Sequence, residues 1–323
     1  MMIMFNYFFK TLLVTIGILA YMSCVKNHMY EGNTDYPCED LPDYPMGVRG
    51  IQQAHYQSQA PAFNPTNSDE FVFTDVHGDN SDLVIYTIST KHKSIIVKDA
   101  NVRGQPRWGD NGLIVYTDPS FSLVVVETLG NLKSKISSSG SFLYPYWLSD
   151  SLIVAQFSYN LGVPYYRVLV NLKGQIIDSA KGPGFHRGVS ISPDEFVSVN
   201  YENKATLIES NSSGHVNRLF DLSFDGSNII TGLAYNQISQ VFYFSTFREG
   251  VYIFNPQEGT RLKLLPGCET KCYDYMSISG DSKFLLLERV DAYDYKNDTG
   301  IYSVKSGIFL YDISKGTLTA LDL

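Results

Sequence analysis

The stretch HRGVSISPDEFVSVNYE, residues 186 to 202, places a tight turn between two apolar segments. Val189 and Ile191 come before Ser192-Pro193-Asp194, and alternating apolar residues follow it. Proline fixes φ near −65°, and aspartate can bond the backbone two residues further on, so Ser-Pro-Asp favours a turn between antiparallel strands. The stretch therefore indicates a hairpin corner and not a reactive serine.

The same order of apolar anchor, polar turn and apolar strand recurs along the chain. Successive anchors are 45, 39, 44, 44 and 43 residues apart. Two further strand-like segments follow within each repeat, so that one repeat holds four. Four short antiparallel strands every 40 to 45 residues are typical of a β-propeller blade. The anchors are Phe63, Trp108, Trp147, Ile191, Tyr235 and Ile278.

The repeats predict six blades that fill residues 59–323. One more period after Ile278 ends near the last residue, Leu323. An open stack would need a differentiated end repeat, whereas residues 317–321 are as apolar as their counterparts in earlier repeats. We therefore expect an all-β fold, a six-bladed β-propeller with four antiparallel strands per blade, in which Trp108 and Trp147 fill the wedges between blades.

The repeats resemble those of the TolB-like six-bladed propellers, a superfamily with WD40-like repeats. Their blades open with an aromatic residue, Ser-Pro-Asp-Gly and a strand. Ile191-Ser192-Pro193-Asp194 is the nearest match, and looser versions begin at Trp108, Trp147 and Ile278. That superfamily includes scaffolds, peptidase gates and lyases, so the resemblance implies a fold without fixing a function.

The N-terminus predicts export. Lys10 precedes an apolar run over residues 11–22, which is too short to cross a ~30 Å hydrocarbon core and is typical of a signal peptide over residues 1–23. Tyr21-Met22-Ser23-Cys24 resembles the bacterial lipobox, although Tyr replaces the usual Leu. The resemblance implies lipidation at Cys24 and a membrane-anchored lipoprotein, periplasmic or at the outer membrane and cell surface; an uncleaved anchor is the alternative. Residues 24–58 lack periodicity and read as a tether.

The remaining cysteines and the acidic segments predict no bound metal or cofactor. Cys268 and Cys272 are spaced to close a small disulfide loop in an oxidising compartment, with Cys38 left single. A metal on these two thiols is disfavoured because no second pair and no histidine lies nearby. The acidic segments 75–82 and 291–298 lack the alternating Asp spacing of a calcium loop and predict solvated hairpin turns.

Composition and motifs exclude several function classes. The net charge of −8, without any Lys/Arg cluster, argues against a nucleic-acid partner, and 23 Tyr with 19 Phe favour strands. Gly188-Val189-Ser190-Ile191-Ser192 lacks the second glycine of a hydrolase elbow. Zinc-protease, phosphate-loop and dinucleotide motifs are absent, so we predict no catalytic residues.

Aromatic and arginine side chains near the starts of the first strands give the predicted binding surface. These residue types carry much of the energy at interfaces. We expect a non-catalytic binding or assembly module in the cell envelope, with a protein partner favoured over a glycan. The surface comprises Arg103, Arg107, Tyr144, Tyr146, His186, Arg187, Tyr273 and Tyr275.

The alternative is a metal-assisted polysaccharide lyase or hydrolase of the TolB-like type. His55 and His186 each precede a first strand, in blades 1 and 4, which face each other across a six-fold ring. Two histidines are too few for a metal site, so this alternative ranks second.

Overall fold

A computed structural model of the chain describes residues 51–56, 58–159, 165–181, 185–200, 205–212, 215–222, 229–246, 249–267, 271–296 and 301–323. All regular structure in these ranges is β-strand. The signal peptide, Cys24 and most of the tether lie outside them and stay predictions. In the described part, no helix has the length and apolarity needed to cross a membrane.

One strand, β1 (Ile51–Tyr56), precedes six sheets, each formed by four consecutive strands. Blade 1 contains β2 (Ser58–Asn64), β3 (Asn67–His77), β4 (Asn80–Thr87) and β5 (His92–Val97). Blade 2 contains β6 (Arg103–Trp108), β7 (Leu113–Thr117), β8 (Leu123–Glu127) and β9 (Leu132–Ile136). Blade 3 contains β10 (Ser141–Ser149), β11 (Leu152–Ser158), β12 (Tyr166–Asn171) and β13 (Ile176–Lys181).

The second half of the ring repeats this arrangement. Blade 4 contains β14 (Phe185–Ser190), β15 (Glu195–Asn200), β16 (Thr206–Asn211) and β17 (Val216–Asp221). Blade 5 contains β18 (Ile230–Asn236), β19 (Val241–Thr246), β20 (Gly250–Asn255) and β21 (Thr260–Pro266). Blade 6 contains β22 (Lys271–Ile278), β23 (Phe284–Lys296), β24 (Ile301–Asp312) and β25 (Thr317–Ala320).

The predicted six-bladed propeller with four antiparallel strands per blade is confirmed. The corner at Ser192-Pro193-Asp194 joins β14 to β15, and the Glu195 N–H donates to the Ser192 carbonyl at 3.3 Å. Strand register corrects one anchor, because Ser190 and not Ile191 lies opposite Phe196. Phe63, Trp108, Trp147, Tyr235 and Ile278 occupy the equivalent position in the other blades.

Apolar side chains fill the wedge between every pair of neighbouring blades. Six buried clusters span the six interfaces, from blades 1 and 2 around to blades 6 and 1. Trp108 lies in the cluster between blades 1 and 2 and is 8% exposed, as predicted for a wedge residue. Each sheet therefore buries both faces against its neighbours, which a single isolated blade could not do.

The ring closes by direct packing of blade 1 on blade 6. Phe71 and Phe73 of blade 1 share a buried cluster with Leu286 of blade 6. Hydrogen bonds join the same two blades: the Ala60 N–H donates to Glu288 Oε2 at 2.8 Å, and the Phe63 N–H donates to Ser277 Oγ at 3.0 Å. A closed ring removes the exposed end faces that an open stack would leave in water.

Blade 6 extends beyond the other blades and corrects two expectations. β23 and β24 continue as a long hairpin, so residues 291–296 of the acidic segment are strand and not a turn. β1 pairs in parallel with the start of β24, from Ile51 opposite Tyr302 to Tyr56 opposite Ser306. The last residues of the predicted tether therefore form a fifth strand on blade 6.

Phe71→Ala tests the closure. Phe71 is fully buried between blades 1 and 6, and truncating such a phenylalanine costs about 3–5 kcal/mol. Urea unfolding should show that loss, and Phe244→Ala, equally buried between blades 4 and 5, should lose a similar amount. A much smaller loss for Phe71→Ala alone would mean that the two end blades do not meet.

Candidate functional site

A cavity of about 270 Å³ opens at one end of the central channel. We call this end the exit mouth, because the first strands end there and turn into the second strands; the entry mouth is the opposite end. All six blades contribute to the cavity wall. The residues at the equivalent anchor position form much of it: Phe63, Trp108, Trp147, Ser190, Tyr235 and Ile278.

Hydrogen bonds between neighbouring turns hold the rim of the exit mouth. Asn111 Nδ2 of blade 2 donates to the Asp150 carbonyl of blade 3 at 2.6 Å. Ser282 Oγ of blade 6 donates to Asn236 Oδ1 of blade 5 at 2.9 Å. Gly280 packs so closely on blade 1 that a Cβ would lie 1.9 Å from the Pro65 carbonyl oxygen. The rim is therefore a linked set of turns.

An irregularity interrupts the first strand of every blade shortly before the anchor position. The register with the second strand shifts between Gln59 and Ala62 in β2, and between Tyr273 and Met276 in β22. The other four first strands also shift register before their anchors. A bulge adds an unpaired residue and re-aims side chains, so these shifts change which side chains the first strands direct towards the channel.

Polar side chains from these bulges close the channel at a level that we call the waist. Arg187 forms an ion pair with Asp274, and its guanidinium carbon lies 4.5 Å from the centre of the Tyr275 ring. Gln105 donates from Nε2 to the carbonyls of Pro61 and Met276, the latter at 3.1 Å, and so bridges three blades. Tyr144 has a φ of 51°, an uncommon value for a non-glycine residue, and lies beside Arg187 and Tyr275.

Arg107, Gly188 and Tyr146 lie between the cavity and the waist and form the cavity floor. Arg107 Nη2 donates to the Gly188 carbonyl at 3.2 Å. The Tyr146 ring lies against Gly188, where a Cβ would approach the ring to 2.2 Å. Only glycine leaves room for that ring, so the floor depends on Gly188.

Burial perturbs the titratable groups of the waist. Glu288 is 3% exposed, and burial followed by the nearby Asp274 charge raises its pKa to about 8. Burial also raises the pKa of Asp274, against the opposing effect of Arg187. Burial, followed by the charge of Arg187, lowers the pKa of Arg107 to about 10. At neutral pH Glu288 therefore keeps its proton while the two arginines stay charged.

The predicted binding residues divide among four places. Arg107 and Tyr146 line the cavity, and Tyr144, Arg187 and Tyr275 form the waist. Tyr273 is 4% exposed in the cluster between blades 5 and 6. Arg103 is exposed near the entry mouth, 4.3 Å from the Phe121 ring centre.

Several predicted residues fall outside what the structure describes. The side chains of His55 and His186 lie outside the described part, so the metal-assisted alternative stays a prediction. Cys268 and Cys38 also lie outside, and the Cys268–Cys272 disulfide stays a prediction; Cys272 is half-buried in β22.

The hairpin between β3 and β4, together with the residues after β5, holds the one group of metal-ligating side chains found among the described residues. His77, Asp82 and Asp99 have potential ligand atoms within 4.8 Å of one another. Asp82 Oδ1 is occupied within the protein, because it lies 3.1 Å from His77 Nε2 and accepts the Asp99 N–H at 2.7 Å. These contacts tie the turn between β3 and β4 to the residues that follow β5.

Comparison with known proteins shows the fold alone. No protein-family model matches the sequence, and no curated protein matches it. The β-propeller domain of Myceliophteria thermophila Cps50 (Swd1) aligns with a TM-score of 0.53 at 9% identity, over 82% of this chain and 98% of that one. The WD40 β-propeller domain of Doa1 aligns with a TM-score of 0.53 at 10% identity, over 71% and 74%. The chain is similar to WD40 propellers, a fold typical of binding and scaffold modules.

Glu288→Gln should remove a pH-dependent loss of folding stability. The folded protein holds the Glu288 proton up to about pH 8, whereas the unfolded chain releases it near pH 4.5. The free energy of unfolding of the wild type should therefore fall relative to Glu288→Gln by about 3 kcal/mol between pH 5 and pH 8, at about 1.4 kcal/mol per pKa unit. Urea titrations at both pH values measure this.

Glu258→Gln is the matched control, because Glu258 is exposed in the turn between β20 and β21. Its stability should follow the wild type at both pH values. A pH-independent difference between Glu288→Gln and the wild type would contradict a protonated, buried Glu288.

Proposed function

We propose that this protein is an exported lipoprotein, anchored through Cys24, whose propeller binds a polypeptide partner in the bacterial cell envelope without catalysis of its own. The observation that carries the proposal is the cavity at the exit mouth, with aromatic walls contributed by blades 1, 2, 3 and 5. We assign the partner to this mouth, opposite the entry mouth near which the sequence predicts the binding surface.

The cavity has the composition of a protein-binding centre. Tryptophan, tyrosine and arginine are the residues that most often carry binding energy, and Trp147, Tyr235 and Arg107 all line it. Asp110 and Gln237 are exposed at its edge, so a polar rim surrounds the aromatic centre.

Rigidity supports the same proposal. The Trp147 indole N–H donates to the Arg107 carbonyl at 3.1 Å, and Tyr235 packs on Phe242 with ring centres 4.9 Å apart. Side chains that are already fixed lose little conformational entropy when a partner binds. The linked turns at the rim limit backbone motion in the same way.

Photo-crosslinking in intact cells tests the binding face. A photoreactive phenylalanine analogue at Gln237, on the rim, should yield a discrete protease-sensitive adduct in the envelope fraction. The same analogue at Leu129, which is 85% exposed in the turn between β8 and β9, is the matched control and should yield none.

Two results would contradict the proposed face or partner. Equal adducts from both positions would mean that the exit mouth has no special role. An adduct that resists protease but is lost on glycan degradation would identify a carbohydrate ligand, for which aromatic walls are also suited.

Cys24→Ala tests the anchor. Without a thiol to acylate, the protein should lose incorporation of labelled fatty acid and most of its recovery in the membrane fraction. Cys38→Ala is the matched control and should keep both. Acylation that survives Cys24→Ala would disprove the predicted site.

A further inference from the structure

We propose that the cavity accepts a carboxylate of the bound polypeptide, which pairs with the guanidinium of Arg107 on the cavity floor. This inference rests on the proposed function, because it assumes that a polypeptide binds at the exit mouth. It adds the chemistry by which the partner is recognised.

Arg107 has donors to spare. Its guanidinium carries five N–H groups, and the bond from Nη2 to the Gly188 carbonyl uses one of them. Within the part of the chain that the structure describes, no carboxylate forms a salt bridge with Arg107. A guanidinium at a cavity wall can bind a carboxylate with two parallel hydrogen bonds, which is the strongest pairing available to it.

The charges around Arg107 leave an excess of positive charge. Arg187 is the charged group that most affects the pKa of Arg107, after burial, and Asp274 already pairs with Arg187. Glu288 is the other carboxyl at the waist, and it is neutral near pH 7 because its pKa is about 8. Two guanidinium groups therefore face one carboxylate charge, and an incoming anion would restore the balance.

The cavity walls strengthen this preference. Besides Arg107, Asp110 is the one charged residue that lines the cavity, and it is exposed at the rim. Aromatic rings and serine side chains make up much of the remaining lining, and neither carries a charge. An acidic group that enters the cavity therefore meets Arg107 with a single competing carboxylate, at the rim.

The volume limits what can enter. The cavity has a volume of about 270 Å³. This space fits one acidic side chain or a chain terminus together with part of its neighbour, but no folded element. The partner must therefore present the acid on an extended segment or at a terminus.

The two tryptophans of the chain, Trp108 and Trp147, both line the cavity, so intrinsic fluorescence reports its occupancy. The full chain, purified in mild detergent, can be titrated with N-acetyl-Phe-Glu amide and N-acetyl-Phe-Gln amide with excitation at the tryptophan band. The two probes differ only in the acid. We expect the Glu peptide to bind about 10-fold more tightly, which is about 1.4 kcal/mol, since a hydrogen bond to a charged group is stronger than one between neutral groups.

Substitutions at two positions should change this ratio in opposite directions. Arg107→Gln should abolish the preference for the Glu peptide, and Arg107→Lys, which keeps the charge, should retain part of it. Asp110→Asn removes the one carboxylate of the cavity wall and should tighten the Glu peptide about 2-fold, with the Gln peptide unchanged. Asp110 is exposed, so Asp110→Asn should not disturb folding. It therefore keeps the inference testable if the Arg107→Gln protein misfolds.

The outcomes separate this inference from the proposed function. Equal affinity for the two peptides, or an unchanged ratio in Arg107→Gln, would overturn carboxylate recognition. If the Gln237 adduct still forms in that case, the polypeptide partner and the exit mouth stand and only the chemistry is wrong. Loss of the adduct together with loss of peptide binding would overturn both.

Discussion

The contact between blade 1 and blade 6 is the constraint on which the rest of the molecule depends. The first and last sheets share a buried aromatic cluster around Phe71, and the Ala60 and Phe63 amides donate across the same boundary. Each blade is an ordinary four-stranded sheet that buries its faces only when it has two neighbours. Closing the ring gives every sheet two neighbours and fixes the six first strands around one axis.

Once the axis is fixed, the bulges decide what the channel contains. A regular first strand would alternate its side chains between the two faces of its sheet. Because β6, β14 and β22 break register before their anchor positions, Gln105, Arg187, Asp274 and Tyr275 meet at the waist, and Glu288 is buried beside them. The waist closes the channel on one side, so the cavity at the exit mouth has a floor and one open end.

Much of the fold could be predicted from the sequence because each blade forms from four strands that are consecutive in the chain. Alternation and turn chemistry, as at Ser192-Pro193-Asp194, set four strands within about 43 residues. The position of the cavity depends on bulges that local patterns do not specify, although Pro61, Pro106 and Pro145 inside first strands were a usable signal, because proline interrupts a ladder. The β1–β24 pair joins residues about 250 positions apart, and no pattern in residues 51–56 predicts this pairing.

That parallel pair bears on how the propeller would carry mechanical load. A pull on the chain before Ile51 acts along β1, whose neighbour β24 runs in the same direction into the body of blade 6. The hydrogen bonds between them are then loaded in shear and resist together, instead of opening one after another as in an unzipping hairpin. Tension from the proposed membrane anchor would thus be shared between blade 6 and the covalent link into β2. This sharing would lower the force that acts to separate blade 1 from the ring.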